Sequence, residues 1–191
     1  MKKFILATTL SAATLFSGFT YAADYNIDRE GAHASIIFKI KHLGYSWLTG
    51  RFDDFDGQFS YDEKTADASK VNVVIQTASL DSNHAERDKH LKSDEFLDVS
   101  KHPTSTFKST KYTHIDANSG TLTGEFSLHG VTKTISFPIE KIGEGTDPWG
   151  GYRAGFSGKT TLKLSDYGID YDLGPASANV ELELFIEGVR Q

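Results

Sequence analysis

The sequence predicts an all-β chain rolled into an antiparallel barrel of about eight strands, with one short helical insertion near 83–98. Three observations carry that prediction. Apolar and polar residues alternate at every second position through most of the chain, the period of a half-buried strand. Several alternating segments run nine or more residues, long for a small sandwich, and hold internal glycines (Gly124, Gly155, Gly158), where a closing sheet needs sharp curvature. The alternation also stops once, between Asp81 and Phe107. There Asn83–Phe96 carries nine charged or His side chains in fourteen residues and only Ala85, Leu91 and Phe96 as apolar ones.

Taken in order, the chain opens on Lys2 and Lys3, an apolar or small run from Phe4 to Phe19, and Thr20-Tyr21-Ala22. This pattern predicts a secretory signal peptide over 1–22, too short and too weakly apolar for a membrane span. Residues 23–191 then form one domain, because 191 residues are too few for two. Loss of two lysines takes the formal charge from −6 to −8. Such an acidic protein does not attract nucleic-acid phosphates. The chain has no Cys, which rules out disulfides and a lipoprotein anchor. The expected product is a soluble periplasmic domain held together by its core, a domain of this length burying roughly 70% of its unfolded surface.

His33–His42 alternates with Ala34, Ile36, Phe38 and Ile40 on one face. Gly44, Gly50 and Gly57 mark bends around two short strands near Gly50–Phe52 and Asp56–Tyr61, and Lys64–Ser69 reads as a polar loop. Val71, Val73 and Ile75 share the next inward face. In the polar excursion, Asn83 followed by Glu86 predicts a capping box, and Glu86/His90 and Asp88/Lys92 have the i,i+4 spacing of an exposed helix. Thr106–Ile115 alternates less regularly. Leu122, Gly124, Phe126 and Leu128 are cleaner, and His129-Gly130 is a hairpin signal leading to Val131, Ile135, Phe137 and Ile139. Pro138 predicts an edge or bulge at that end. Gly143–Gly151 reads as a loop, Tyr152–Leu164 and Asn179–Glu187 as strands, and the segment between them as a loop with a single helical turn. Small residues such as Ala34, Gly124, Ala154, Gly158 and Thr160 share faces with Phe38, Phe126 and Phe156. That mixture fits a hollow lumen, and equally a solid core whose glycines serve only curvature.

No catalytic constellation emerges. Asp54, Asp56, Gly57 and Glu63 fit part of a calcium loop, but its first position is Phe52. His84 and His90, six apart, diverge on a helix, and none of the seven His is spaced for a metal. Gly155-Phe156-Ser157-Gly158 lacks nucleophile-elbow spacing. A hydrolase or isomerase using His90 with Asp88 or Glu86 is the enzymatic alternative, with poor geometry because near neighbours on a helix point apart. Asn83, Arg87 and His90 could share a helical side and present donors to a ligand head group; alternatively Arg87 pairs with Asp88, Asp94 or Asp98 and braces the insertion.

Several motifs carry a resemblance: His33…Phe38-x-Ile40-x-His42-Leu43-Gly44, Gly50-Arg51-Phe52…Phe55-x-Gly57 and Asn83-x-x-x-Arg87-Asp88-x-His90-Leu91. Pro103-x-x-Thr106-Phe107, Leu128-x-Gly130-Val131-Thr132-Lys133 and Asp172-Leu173-Gly174-Pro175-Ala176-Ser177 extend it over essentially the whole exported chain. The sequence resembles the YceI-like proteins. The resemblance implies a lipocalin-like, extended antiparallel β-barrel whose apolar pore holds a polyisoprenoid lipid: a quinone, a prenylphenol or a polyprenyl phosphate. It also implies a carrier or store without catalysis, needing neither cofactor nor metal, with a link to envelope stress. The pore lining expected on that basis is Ala34, Ile36, Phe38, Ile40, Val73, Ile75, Phe126, Phe137, Phe156, Leu162 and Leu184, with Asn83, Arg87 and His90 as rim or head-group residues. Burying a methylene yields about 0.8 kcal/mol, so only a long tail exceeds an association cost of roughly 4–15 kcal/mol. The acidic exterior favours a neutral head, whereas the Arg87/Lys89/Lys92 cluster favours an anionic one. A further alternative is a lipid-free interaction module that docks a membrane b-type cytochrome through Trp47, Trp149 and the Asp147–Gly151 loop.

Overall fold

The computed structural model describes residues 22–171 and 173–191. Residues 1–21, nearly all of the expected signal peptide, and Asp172 lie outside the described residues. Eleven strands form one antiparallel sheet: β1 (Ala23–Ile27), β2 (Ser35–His42), β3 (Ser46–Phe52), β4 (Phe55–Tyr61), β5 (Lys70–Gln76), β6 (Leu80–Asp81), β7 (Thr104–Asp116), β8 (Ser119–Leu128), β9 (Val131–Thr146), β10 (Tyr152–Lys163) and β11 (Asn179–Arg190). Eight of them, in the order β1-β4-β5-β7-β8-β9-β10-β11, close into a barrel through the β11–β1 pairing. The expected barrel class and strand number therefore hold for the closed ring.

The other three strands extend the wall. β11 pairs with β1 through its last residues (Tyr25 opposite Arg190) and with β2 through its first (Ile40 opposite Val180). β1 and β2 thus act as one interrupted strand, and β4 and β3 repeat the arrangement beside them, with β6 against β3. We call the end at which β10 finishes, near Lys163, the upper end. There α1 (Ala85–Leu91) and the turns that follow cover the barrel between β6 and β7, burying Phe96 and packing Leu91 and Leu97 into the upper core.

The alternation explains the inward faces. Ile36 and Phe38 are the buried positions of β2, with the half-buried Ile37 between them on the outer face, and Gly120, Leu122, Gly124, Phe126 and Leu128 are the buried positions of β8. The irregular β7 has a physical cause. Its register against β8 shifts at Thr110 and again at Ile115, two bulges that reset which face points inward and leave Ile115 exposed. Pro138 stands near the limit of one ladder: β9 pairs with β10 from Thr146 to Ile139, and residues 131–138 pair only with β8. Above that point Lys159–Lys163 of β10 pairs only with β11. The turn Leu164–Tyr167 is tied to the β8–β9 hairpin by Lys133–Asp166 (3.6 Å) and by His129 Nδ1 to the Tyr167 carbonyl (3.0 Å).

Several expectations need correction. β1 is a strand although its short sequence offers only Tyr25 and Ile27 to the core. β3 begins at Ser46, and β9 runs to Thr146 because a bulge at Ile142 lets it continue where the loop was expected. The short helical insertion expected near 83–98 is present, its helix being the seven residues of α1. Its cap is His84, whose Nδ1 accepts the Arg87 N–H at 3.2 Å; Asn83 lies one residue outside, in the left-handed region (φ 61°), with its N–H donated to Asp81. The loop after β10 holds two turns, Leu164–Tyr167 and Pro175–Ser177, rather than one.

The lower end is locked by charge. Arg153 donates to Asp28 Oδ2 (2.5 Å), Glu187 Oε1 (2.6 Å) and Asp147 Oδ2 (2.8 Å), joining the β1–β2 turn, β11 and the β9–β10 turn. Hydrogen bonds from His33, then from Arg153 and the Gly31 N–H, outweigh burial and hold the Asp28 carboxyl at about 2.

Candidate functional site

Two apolar cavities run end to end inside the barrel. The upper one, about 270 Å³, is floored by strand residues such as Phe38, Leu48, Leu162 and Val180, and roofed by Arg87, His90, Phe96, Tyr171 and Leu173. The lower one, about 130 Å³, lies among Phe59, Tyr61, Val71, Tyr112, Phe137 and Ile186. Ile36, Ile75, Phe126 and Leu182 line both, so they form the waist between the two. Together the cavities hold about 400 Å³, within the range of roughly 300–1,000 Å³ of small-molecule sites. The shape is a tube lined almost throughout by hydrocarbon.

Of the eleven residues expected to line a pore, ten do so. Phe38, Ile40 and Leu162 line the upper cavity; Val73, Phe137, Phe156 and Leu184 the lower; Ile36, Ile75 and Phe126 the waist. Ala34 lines neither and packs into the lower core instead. Neither Gly158 nor Gly124 leaves empty space directly above it. An added Cβ would meet Ile139 Cδ1 at 2.6 Å on Gly158 and the Phe107 ring at 2.5 Å on Gly124, and Gly158, Ile139 and Phe107 all border the lower cavity.

The rim residues separate too. Arg87 and His90 line the upper cavity, and the exposed Asn83 does not. Arg87 pairs with none of Asp88, Asp94 and Asp98 among the described ion pairs. Its Nε donates to Ser82 Oγ at 2.8 Å and its NH2 to the Ser82 carbonyl, while Asp88 accepts the Ser82 N–H (2.8 Å) and hydroxyl. Buried Ser82 is thus a clasp joining the adjacent helical residues Arg87 and Asp88 to the end of β6. His90 packs edge-on against Phe96 and Tyr171 (5.0 and 5.3 Å between ring centres), and its Nε2 meets Glu95 at 2.5 Å. With Nε2 on Glu95, His90 is oriented as part of the roof, in a cavity that Lys41, His42 and Tyr171 also line.

Phe96, Leu97, Tyr171 and Leu173 were not anticipated as lining. Their available signal was the sparse apolar residues inside otherwise polar segments. One cluster has metal-ligand chemistry: Asp28, His33 and Glu187 bring ligand atoms within 4.8 Å of one another. The Arg153 guanidinium already occupies that space and neutralises both carboxylates, so the residues do not fit a metal.

Trp47 and Trp149 do not share a surface. Trp47 lies opposite Lys41 next to the upper end of β11, and Trp149 sits in the turn before Tyr152 at the lower end. The two ends of β10 are separated by about 35 Å.

Comparison with known proteins agrees with the geometry. A family described as YceI-like domain matches residues 25–188. The chain is 58% identical over 191 residues to a UPF0312 protein of Pseudomonas aeruginosa (strain LESB58), with full coverage of both chains, and 56% identical, again over both full lengths, to one of Shewanella sp. (strain ANA-3). Among solved structures it is similar to the YceI protein of Campylobacter jejuni (32% identity, TM-score 0.73, 80% of this chain and 91% of that one). It also shares the fold of a polyisoprenoid binding domain from Saccharophagus degradans (15% identity, TM-score 0.66, 90% and 100% coverage). Matched by the family over nearly all its described residues and by relatives over its whole length, the chain belongs to the YceI-like family.

Proposed function

We propose that this protein is a periplasmic binding protein, not an enzyme, that carries or stores a long-chain isoprenoid lipid. The observation that carries the reading is the pair of adjoining cavities, which share Ile36, Ile75, Phe126 and Leu182 and are lined almost throughout by apolar side chains. A tail that descends through the waist into the lower cavity exchanges water for hydrocarbon along its length, at about 0.8 kcal/mol per methylene. The name of the Saccharophagus degradans domain supports the same ligand class.

The head belongs at the roof, where Lys41, His42, Arg87, His90 and Tyr171 are polar side chains lining the upper cavity. Arg87 gives two of its five N–H groups to the uncharged Ser82 and keeps its charge. A quinone or prenylphenol head would accept hydrogen bonds from these donors, and a phosphate head would pair with the Arg87 and Lys41 charges. Secretion and a place in the envelope-stress response complete the proposal. Native mass spectrometry of protein purified from its host, and again after incubation with a prenyl quinone, tests it: one lipid per chain is expected, and an empty protein that takes up no quinone refutes it.

A further inference from the structure

The β2–β3 hairpin projects beside the mouth of the upper cavity and carries large apolar side chains on its surface: Leu43, Tyr45 and Trp47 are 49%, 87% and 46% exposed. Residues 35–52 include Lys39, Lys41 and Arg51 but no Asp or Glu, in a chain whose formal charge is −6. Lys39 lies 3.8 and 3.7 Å from Glu181 and Glu183 of β11, and Arg51 2.6 Å from Asp53. The ammonium groups of Lys39 and Lys41 lie 4.6 and 5.5 Å from the centre of the Trp47 ring. The turn is also strained in favour of exposure. Leu43 has φ +52° and Gly44 φ +83°, a pair of left-handed positions for which Asn-Gly is the favoured sequence. A leucine there costs backbone energy and stays about half exposed in the free protein.

Tip and mouth are one structure. Lys41 and His42 line the upper cavity, Ser177 Oγ donates to the Lys41 carbonyl at 2.6 Å, and Gly44 lies beside Ala176 next to the Tyr171–Leu173 side of the roof. A Tyr and a Trp with apolar bodies and polar tips, an outward Leu and flanking cations are the side chains that settle at the boundary between anionic head groups and acyl chains. We propose that the β2–β3 hairpin docks on an anionic phospholipid bilayer and seats the cavity mouth on the membrane, so that the tail moves between bilayer and barrel without crossing water. The proposal rests on the lipid-carrier reading for its purpose, and it is measured independently of lipid loading.

The test uses the Trp149→Phe protein, which keeps Trp47 as its one tryptophan, with vesicles of phosphatidylethanolamine and phosphatidylglycerol. Co-flotation with the vesicles and a blue shift of Trp47 emission are expected, both weakened by high salt. Adding Leu43→Asn and Tyr45→Ser, the first of which suits the turn, lowers partitioning about tenfold or more. Uptake of a prenyl quinone from detergent solution stays unchanged in that variant, which separates docking from loading. The docking proposal is overturned by a protein that loads quinone but neither floats nor shifts, by flotation that survives both substitutions, or by a hairpin that pairs two copies in sedimentation without binding vesicles. Flotation without any quinone uptake instead refutes the carrier reading and leaves docking intact.

Discussion

Replacing Leu182 by Trp places a large ring at the waist where the two cavities meet, because Leu182 lines both. The lower cavity of about 130 Å³ accommodates roughly four methylene-sized groups, each near the ~30 Å³ that a water molecule occupies in the liquid. Excluding them forfeits about 3 kcal/mol at about 0.8 kcal/mol each, or roughly two orders of magnitude in affinity. The ring also overpacks the waist, at a cost to folding of about 1–3 kcal/mol, so urea denaturation must first establish that the variant is folded. Titration with two prenyl quinones then separates the effects. A long-tailed quinone is expected to bind about a hundredfold more weakly, while a short-tailed analogue that fits the upper cavity alone binds as before. Equal loss for both ligands, or no loss for either, refutes passage of the tail through the waist.

Three further outcomes follow from the same geometry. Arg153→Met leaves the Asp28, Asp147 and Glu187 carboxylates without their shared partner and is expected to lower the urea midpoint of unfolding, whereas an unchanged midpoint would contradict a locking role. Asp28 is held at about 2 in the folded chain against an ordinary value of 3.8; being depressed, it stabilises the fold above pH 4 by at most about 2 kcal/mol and loses that contribution as pH falls from about 4 to about 2. An Asp28→Asn variant should flatten urea midpoints across that window, and an unchanged slope would contradict the assignment. Ser82→Ala removes the clasp on Arg87 and Asp88, so hydrogen exchange of the α1 amides should accelerate about tenfold, consistent with about 1–2 kcal/mol of lost hydrogen bonding.

Much of the barrel was legible because a half-buried strand writes its own pattern. Leu122/Phe126 and Leu182/Leu184 alternate with polar partners, Ile36/Phe38 do so apart from Ile37, and those faces line the cavities. The pattern failed where tertiary structure overrides period. Thr110, Ile115 and Ile142 are bulge residues, each shifting the register of everything beyond it, and no local property of Thr or Ile announces that. β1 has too few residues to show a period. The helix boundary moved by one residue because His84, an uncommon cap, took the place that composition assigns to Asn83. Ser82 was invisible for a different reason. A serine becomes a clasp only when folding brings an Arg and an Asp from the next helical turn onto its hydroxyl and backbone. Gly124 illustrates the limit on the cavity itself, since sequence cannot say whether the space above a glycine stays empty or is entered by a distant ring such as Phe107.

The parted upper ends of β9 and β10 give the wall an unusual mechanical property. Because residues 131–138 and 159–163 share no ladder, the circumference near the roof can grow without breaking a backbone hydrogen bond, limited only by the Lys133–Asp166 and His129–Tyr167 tethers. The lower ring, fully laddered and pinned by Arg153, has no such freedom. A branched or bulky portion of a ligand therefore meets a compliant collar first and a rigid gauge second. On the lipid-carrier proposal, girth would be tolerated near the head and rejected near the tail tip, and the cargo would be selected by taper as well as by length.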